Sequence, residues 1–259
     1  MPHYDFRTPR LYVDAPLTTD GAVALSRDQL NYLGNVLRLK SGDAVLLFNG
    51  RDGEWRANLA AAGKRALTAL PSERLREQPP PNDLLFLFAP LKHARLDYLV
   101  QKAVEMGASR LQPVITRHTQ VARINSERMR ANVIEAAQQC GILTLPEVAD
   151  PISFESLVRG DAARLLVFCD EDAPVKDPAA ALEAMRPRTT ALLPAEATRA
   201  PLPIAVLIGP EGGFAETERE RLLARPNTVQ LSLGPRILRA DTAAVAALAM
   251  VQAVLGDWR

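Results

Sequence analysis

A chain of 259 residues, 47% hydrophobic and 24% charged, can form two domains or one large one, and these bulk properties do not decide between them. Two cysteines (Cys140, Cys169) and three scattered histidines supply neither a disulfide framework nor metal-ligand spacing, so no metal is expected. The formal net charge is only +1, yet residues 1–76 carry +3 and residues 92–142 carry +4 against −4 over 143–259, a one-sided basic footprint that RNA binding or ordinary surface variation can both produce.

The N-terminus, Met1-Pro2-His3-Tyr4-Asp5, has no apolar leader, which predicts a cytoplasmic protein. Short alternating runs predict strands around 11–13, 23–25, 45–48 and 54–60, with turn chemistry at Asn49-Gly50 and Asp52-Gly53. One helix interrupts them. Ser26 caps it, Gln29 completes a capping box, and Leu30, Leu33 and Leu37 form its apolar stripe. Together these predict a small β-barrel over residues 1–76. Glu77-Gln78-Pro79-Pro80-Pro81-Asn82 is a stiff connector over 77–82.

From residue 83 to 259 strands alternate with helices, which predicts an α/β domain with a parallel sheet. Strands are expected at Leu84–Ala89, Leu111–Ile115, Leu165–Cys169, Ile204–Ile208 and Val229–Leu233. Leu96, Leu99, Val100, Ala103 and Val104 mark one helix, and Ile124–Cys140 another. Residues 185–203 read as a surface loop. Ala240–Leu255 is apolar on most faces, so it belongs in a core or a subunit interface; Gln252 and its length exclude a membrane span. Two glycine turns stand just before helical patterns, at Gly209-Pro210-Glu211-Gly212-Gly213 and at Gly234-Pro235. The first is neither a dinucleotide fingerprint nor a P-loop. Two such turns close together can wall a pocket with backbone.

The pair "LIGPEGGF" (207–214) and "LGPRILRADTAA" (233–244) resembles the last two motifs of the RsmE family of SPOUT methyltransferases. "NYLGNVLRLKSGDAVLLFNG" (31–50), "LKHARLDYLVQKAVEMG" (91–107) and "EAAQQCG" (135–141) extend the resemblance over nearly the whole chain, in the family's order. It implies an N-terminal PUA-like RNA-binding barrel and a trefoil-knotted α/β SPOUT domain, paired as a homodimer through the C-terminal helix. It also implies S-adenosylmethionine as cofactor and N3 of a uridine in 16S rRNA of the small ribosomal subunit as target. Two alternatives remain: a SPOUT enzyme for another RNA or atom, and a non-catalytic assembly factor.

On this reading Leu207, Ile208, Gly209, Pro210, Gly212 and Gly213 hold the cofactor from the first turn. Leu231, Leu233, Gly234, Ile237, Leu238 and Thr242 hold it from the second. Uracil N3 is a poor nucleophile until its proton weakens, so fixed positive charge at the carbonyl oxygens would help; Arg236 and Arg239 are the candidates. Phosphate binding, or a salt bridge to Glu211, is the other use for them. Glu211 can act as base or brace its loop by accepting backbone N–H bonds. Arg7, Arg10, Lys92 and Arg95 are candidate RNA contacts. Lys102 and Glu105 are spaced for an i,i+3 ion pair. Two positions depart from the family pattern: Asp241 stands where Glu is usual, and Ile142 where Arg is usual.

Overall fold

The computed structural model describes residues 5–63, 66–121, 123–186 and 203–258. Most of the expected 185–203 loop lies outside them. The chain forms two compact units, one of residues 1–80 with 134–145, the other of residues 81–133 with 146–259.

The first unit is a five-stranded sheet in the order β1-β3-β4-β5-β2, formed by Arg10–Tyr12 (β1), Val23–Ala24 (β2), Ala44–Phe48 (β3), Glu54–Ala61 (β4) and Leu67–Arg76 (β5). β1 runs parallel to β3, and the other pairings are antiparallel. Alternating residues of these strands meet in one core that includes Leu11, Val23, Val45, Leu47, Ala57, Leu59 and Ala69. β5 has no counterpart among the expected strands. Pro71 interrupts its pattern, and the ladder tolerates it because Pro71 faces Ala57 at a register shift.

The single helix also differs from expectation. Ser26 and Gln29 form the capping box, but α1 (Arg27–Asn31) gives way to a π turn over Tyr32–Val36, where the Leu37 N–H donates to Tyr32 O. The wider turn buries Leu33 completely and leaves Leu37 partly buried. Arg38 then reverses the chain with φ 60°.

Glu54 is buried between two arginines. Arg10 Nε donates to Oε1 at 2.6 Å, and Arg76 donates to both oxygens at 2.7 and 2.8 Å. Burial pushes the Glu54 pKa up, but the hydrogen bonds from Arg76 and Arg10 outweigh it and hold it below its ordinary value. Arg10 also donates to Gln138 O, and Arg76 to Gly141 O. Arg10, expected as an RNA contact, is thus 8% exposed and paired with Glu54.

The second unit carries a parallel sheet in the order β12-β10-β11-β6-β7-β8, with β9 added beside β7. Its strands are Leu84–Phe88 (β6), Arg110–Ile115 (β7), Glu147–Val148 (β8), Ile152–Ser153 (β9), Leu165–Cys169 (β10), Ile204–Ile208 (β11) and Thr228–Leu231 (β12). β10, β11 and β6 are continuous apolar runs, as strands covered on both faces must be. Among the described residues the helices that follow are α2 (His93–Glu105), α3 (Ser126–Cys140), whose residues from Ile134 on belong to the first unit, α4 (Phe154–Arg159), α5 (Pro178–Glu183), α6 (Glu216–Ala224) and α7 (Ala240–Val254).

After β12, at one edge of the sheet, the chain returns as α7 to pack on α2, α5 and β11. Ala243, Ala244, Ala247, Leu248 and Val251 fill the buried face of α7. Gln252 is buried with them, and its Nε2 donates to Met106 O beyond the end of α2 at 2.8 Å. Among the described residues no helix is long and apolar enough to cross a membrane.

Candidate functional site

A cleft of about 550 Å³ opens at the carboxyl ends of β10, β11 and β12. That end of a parallel sheet is where ligands bind in open α/β folds. Three loops wall it: residues 169–172, 208–214 and 231–239, with Arg95 of α2 and Ala240 and Ala243 of α7.

The middle loop is built by packing. Gly209 has no room for a side chain, because a Cβ there would lie 2.6 Å from Phe214 Cε2. The Phe214 ring stands edge-on to Phe168 with centroids 5.1 Å apart. Gly213 (φ 69°) closes a turn by donating to Pro210 O, and its own carbonyl meets His118 Nδ1 at 3.1 Å. In the third loop Gly234 has φ 97°. At both left-handed positions glycine avoids the strain a Cβ would bring.

Glu218 supplies the bracing that the sequence reading offered to Glu211. It is buried and accepts the N–H groups of Ala215 and Arg117 at 3.0 and 2.9 Å. Glu211 instead accepts the Arg95 guanidinium. Arg95 Nε lies 3.9 Å from Asp241 Oδ2, so this one arginine stands between the first glycine turn and the start of α7. Arg95, expected to contact RNA, is therefore in the cleft wall. The salt bridge considered between Glu211 and Arg236 or Arg239 does not occur.

Most of the expected cofactor residues converge. Ile208, Gly209, Pro210, Gly212, Gly213, Leu231, Leu233, Gly234, Ile237 and Leu238 line the cleft, with Glu211, Arg236 and Arg239. Ile237 is 95% exposed. Two do not converge: Leu207 is buried within the sheet core, and Thr242 is exposed on the first turn of α7. Arg7, in the first unit, is exposed, and Lys92 is exposed and does not line the cleft. Lys102 and Glu105 form the expected ion pair.

The first loop holds what the sequence reading missed. Asp170 is buried, and its Oδ2 accepts Arg219 Nε at 2.9 Å and Gln230 Nε2 at 2.8 Å. Its Oδ1 accepts the Asp172 N–H. This network ties β10, α6 and β12 together and presents Glu171 and Asp172 to the cleft. The available signal was position, since an acidic run immediately follows a buried parallel strand. Beside it, burial pushes the Cys169 thiol up to about 12, with Asp170 adding to the effect, so the thiol stays neutral.

The cleft thus offers a carboxylate wall, an apolar lip of Leu231, Leu233 and Leu238, backbone from two glycine turns, and four arginines, Arg95, Arg219, Arg236 and Arg239. No group of three or more metal-ligating side chains occurs among the described residues.

Residues 78–252 match the RNA methyltransferase domain family, and residues 25–72 the RNA methyltransferase PUA domain family. The ribosomal RNA small subunit methyltransferase E of Rickettsia conorii is 31% identical, with 94% of each chain covered. That of Synechocystis is 32% identical, with 95% of this chain and 78% of the relative covered. Among solved structures, a Neisseria gonorrhoeae ribosomal RNA small subunit methyltransferase E bound to S-adenosylmethionine superposes with a TM-score of 0.79 at 27% identity. The alignment covers 98% of this chain and 100% of that one. A Legionella pneumophila methyltransferase with the same cofactor gives a TM-score of 0.77 at 28% identity, over 95% of this chain and 98% of that one.

Proposed function

The chain belongs to the RNA methyltransferase family that includes ribosomal RNA small subunit methyltransferase E, and on that premise we infer that it methylates N3 of a uridine in 16S rRNA, with S-adenosylmethionine as methyl donor. The observation that carries the reading is the cleft. Its 550 Å³ lies within the range of small-molecule sites. Its groups suit the donor's chemistry, because Glu171 and Asp172 can take an ammonium or ribose hydroxyls while the leucine lip and glycine backbone take a flat base.

When bound, the donor supplies a methyl group activated on a sulfonium. The protein's own work is alignment and electrostatics. As the N–C bond forms and the S–C bond breaks, the uracil N3 proton must leave and charge gathers on the carbonyl oxygens. Arg236 and Arg239 stabilise that charge from the cleft wall. Glu211 is occupied by Arg95, so the proton passes to water.

Residues 1–76 gather RNA, 77–82 connect, and 83–259 carry the transfer. The return of α7 from edge strand β12 to α2 supports a trefoil knot. The half-buried outer face of α7, with Val245, Ala246, Ala249 and Met250, supports a homodimer. The setting is the cytoplasm, where small subunits are assembled. Incubation with small ribosomal subunits and labelled S-adenosylmethionine, followed by nucleoside mass spectrometry, is expected to give 3-methyluridine. Label on another atom, or none, overturns the reading.

A further inference from the structure

A second recess, of about 840 Å³, opens on the other side of the first turn of α2, between that turn and residues 120–121 and 123–129. We propose that it binds a nucleotide of the substrate RNA that flanks the target uridine, with the base in the recess and its phosphate on Arg123 and Lys92. The proposal rests on the reading of the chain as an rRNA methyltransferase.

The lining has the chemistry of a base site. Leu91 and Met129 are buried in its floor, and Leu96 and Ile124 are part-exposed beside them. Gln120 and Asn125 bring two side-chain amides, the groups that read a base edge. Asn125 spends its Oδ1 on the Arg128 N–H, while its Nδ2 and the Gln120 amide have no protein partner among the described residues. Arg123 adds a guanidinium plane on which a base can stack.

Charge points to RNA. Asp97 in the wall is neutralised by Arg128, at 2.8 Å to Oδ1 and 2.5 Å to Oδ2, and it also accepts the Asn132 amide. Glu127 is the remaining acid of the lining. Against it stand Lys92 and Arg123, both exposed and without an ion-pair partner among the described residues. An apolar floor rimmed by two unpaired cations suits a base with its phosphate better than a protein side chain.

Position gives the recess its role. Lys92, Leu96 and Asp97 face the recess, whereas Arg95 of the same turn lines the cofactor cleft. One helical turn therefore separates the two, and a strand whose uridine enters the cleft has its neighbour beside the recess. The recess reads the sequence around the target.

Arg123→Ala removes an exposed cation, and Ile124→Trp fills the recess. With protein-free 16S rRNA as substrate, each is expected to raise the RNA KM about tenfold. S-adenosylmethionine affinity should be unchanged, and Arg123→Ala should lower the salt slope by about one. Ultraviolet crosslinking of 4-thiouridine-substituted 16S rRNA to the wild type should place adducts within residues 120–129. Unaltered KM in both variants, adducts only elsewhere, or effects confined to particles containing ribosomal proteins overturns the proposal, the last by assigning the recess to a protein. A wild type that transfers no methyl group, yet crosslinks at 120–129, would defeat the functional reading and leave the RNA site standing.

Discussion

A Cβ at position 209 would meet the Phe214 ring, which is itself fixed against Phe168, so the glycine is required by the protein's own packing as much as by a ligand. Gly209→Val should push the ring aside, deform the loop and abolish detectable S-adenosylmethionine binding, while unit 1 stays folded. Calorimetric titration checks this, and unchanged affinity would remove the loop from the site. Arg236 is exposed at the cleft and has no ion-pair partner among the described residues. Arg236→Ala should lower turnover on the order of 10²-fold with little loss of RNA affinity. Weaker, less salt-dependent RNA binding at unchanged turnover would instead make it a phosphate contact. At this scale the sequence revealed residue types and loops but not long-range partners. Arg10 and Glu54 are 44 positions apart, and no local pattern announces that one neutralises the other. The same holds for Asp170 with Arg219 and Gln230.

The elements were legible wherever local chemistry decides them. The capping box at Ser26, the apolar strands and the glycine turns all follow from neighbours in sequence. The π turn at Tyr32–Val36, the parallel pairing of β1 with β3 and the proline-bearing strand β5 did not, because they depend on what lies across the sheet. β1, β4 and β5 are joined by the Glu54 cluster, which sets a pH signature. The folded pKa of Glu54 is depressed, so its ionised form stabilises the unit at every pH above the unfolded value of roughly 4.3. That contribution is lost as pH falls through the folded value. Glu54→Gln leaves buried Arg10 and part-buried Arg76 without their counter-charge and should cost about 3–5 kcal/mol at neutral pH. The difference from wild type should shrink on acidification below pH ~4. Denaturant titrations at several pH values measure it, and a difference independent of pH would sink the assignment.

For the whole molecule, the expected reach of α7 into an interface needs its outer face. Val251, a natural choice for a charge probe, is 1% exposed within its own chain, so Val251→Glu would test folding and not pairing. Ala249 is only half-buried on the opposite side. Ala249→Glu should convert a dimer to a folded monomer with reduced methylation, read by sedimentation velocity beside a circular dichroism spectrum. A wild type that sediments as a monomer at micromolar concentration would end the dimer proposal. The knot we propose is expected only through the family resemblance, since strand periodicity does not encode the path a chain takes around itself.

The first unit is not a contiguous stretch of chain: it takes residues 134–145 from beyond the proline connector, and Gln138 and Gly141 accept hydrogen bonds from Arg10 and Arg76. The connector is therefore not the sole tether between the N-terminal segment and the rest. A protease that nicks the backbone between Pro79 and Asn82 should leave two fragments that co-elute on gel filtration and part only under denaturant. Two peaks from the nicked native protein would contradict this. Boundaries for recombinant pieces, or for inserting a foreign domain, accordingly follow the path of residues 134–145 and not the run of prolines.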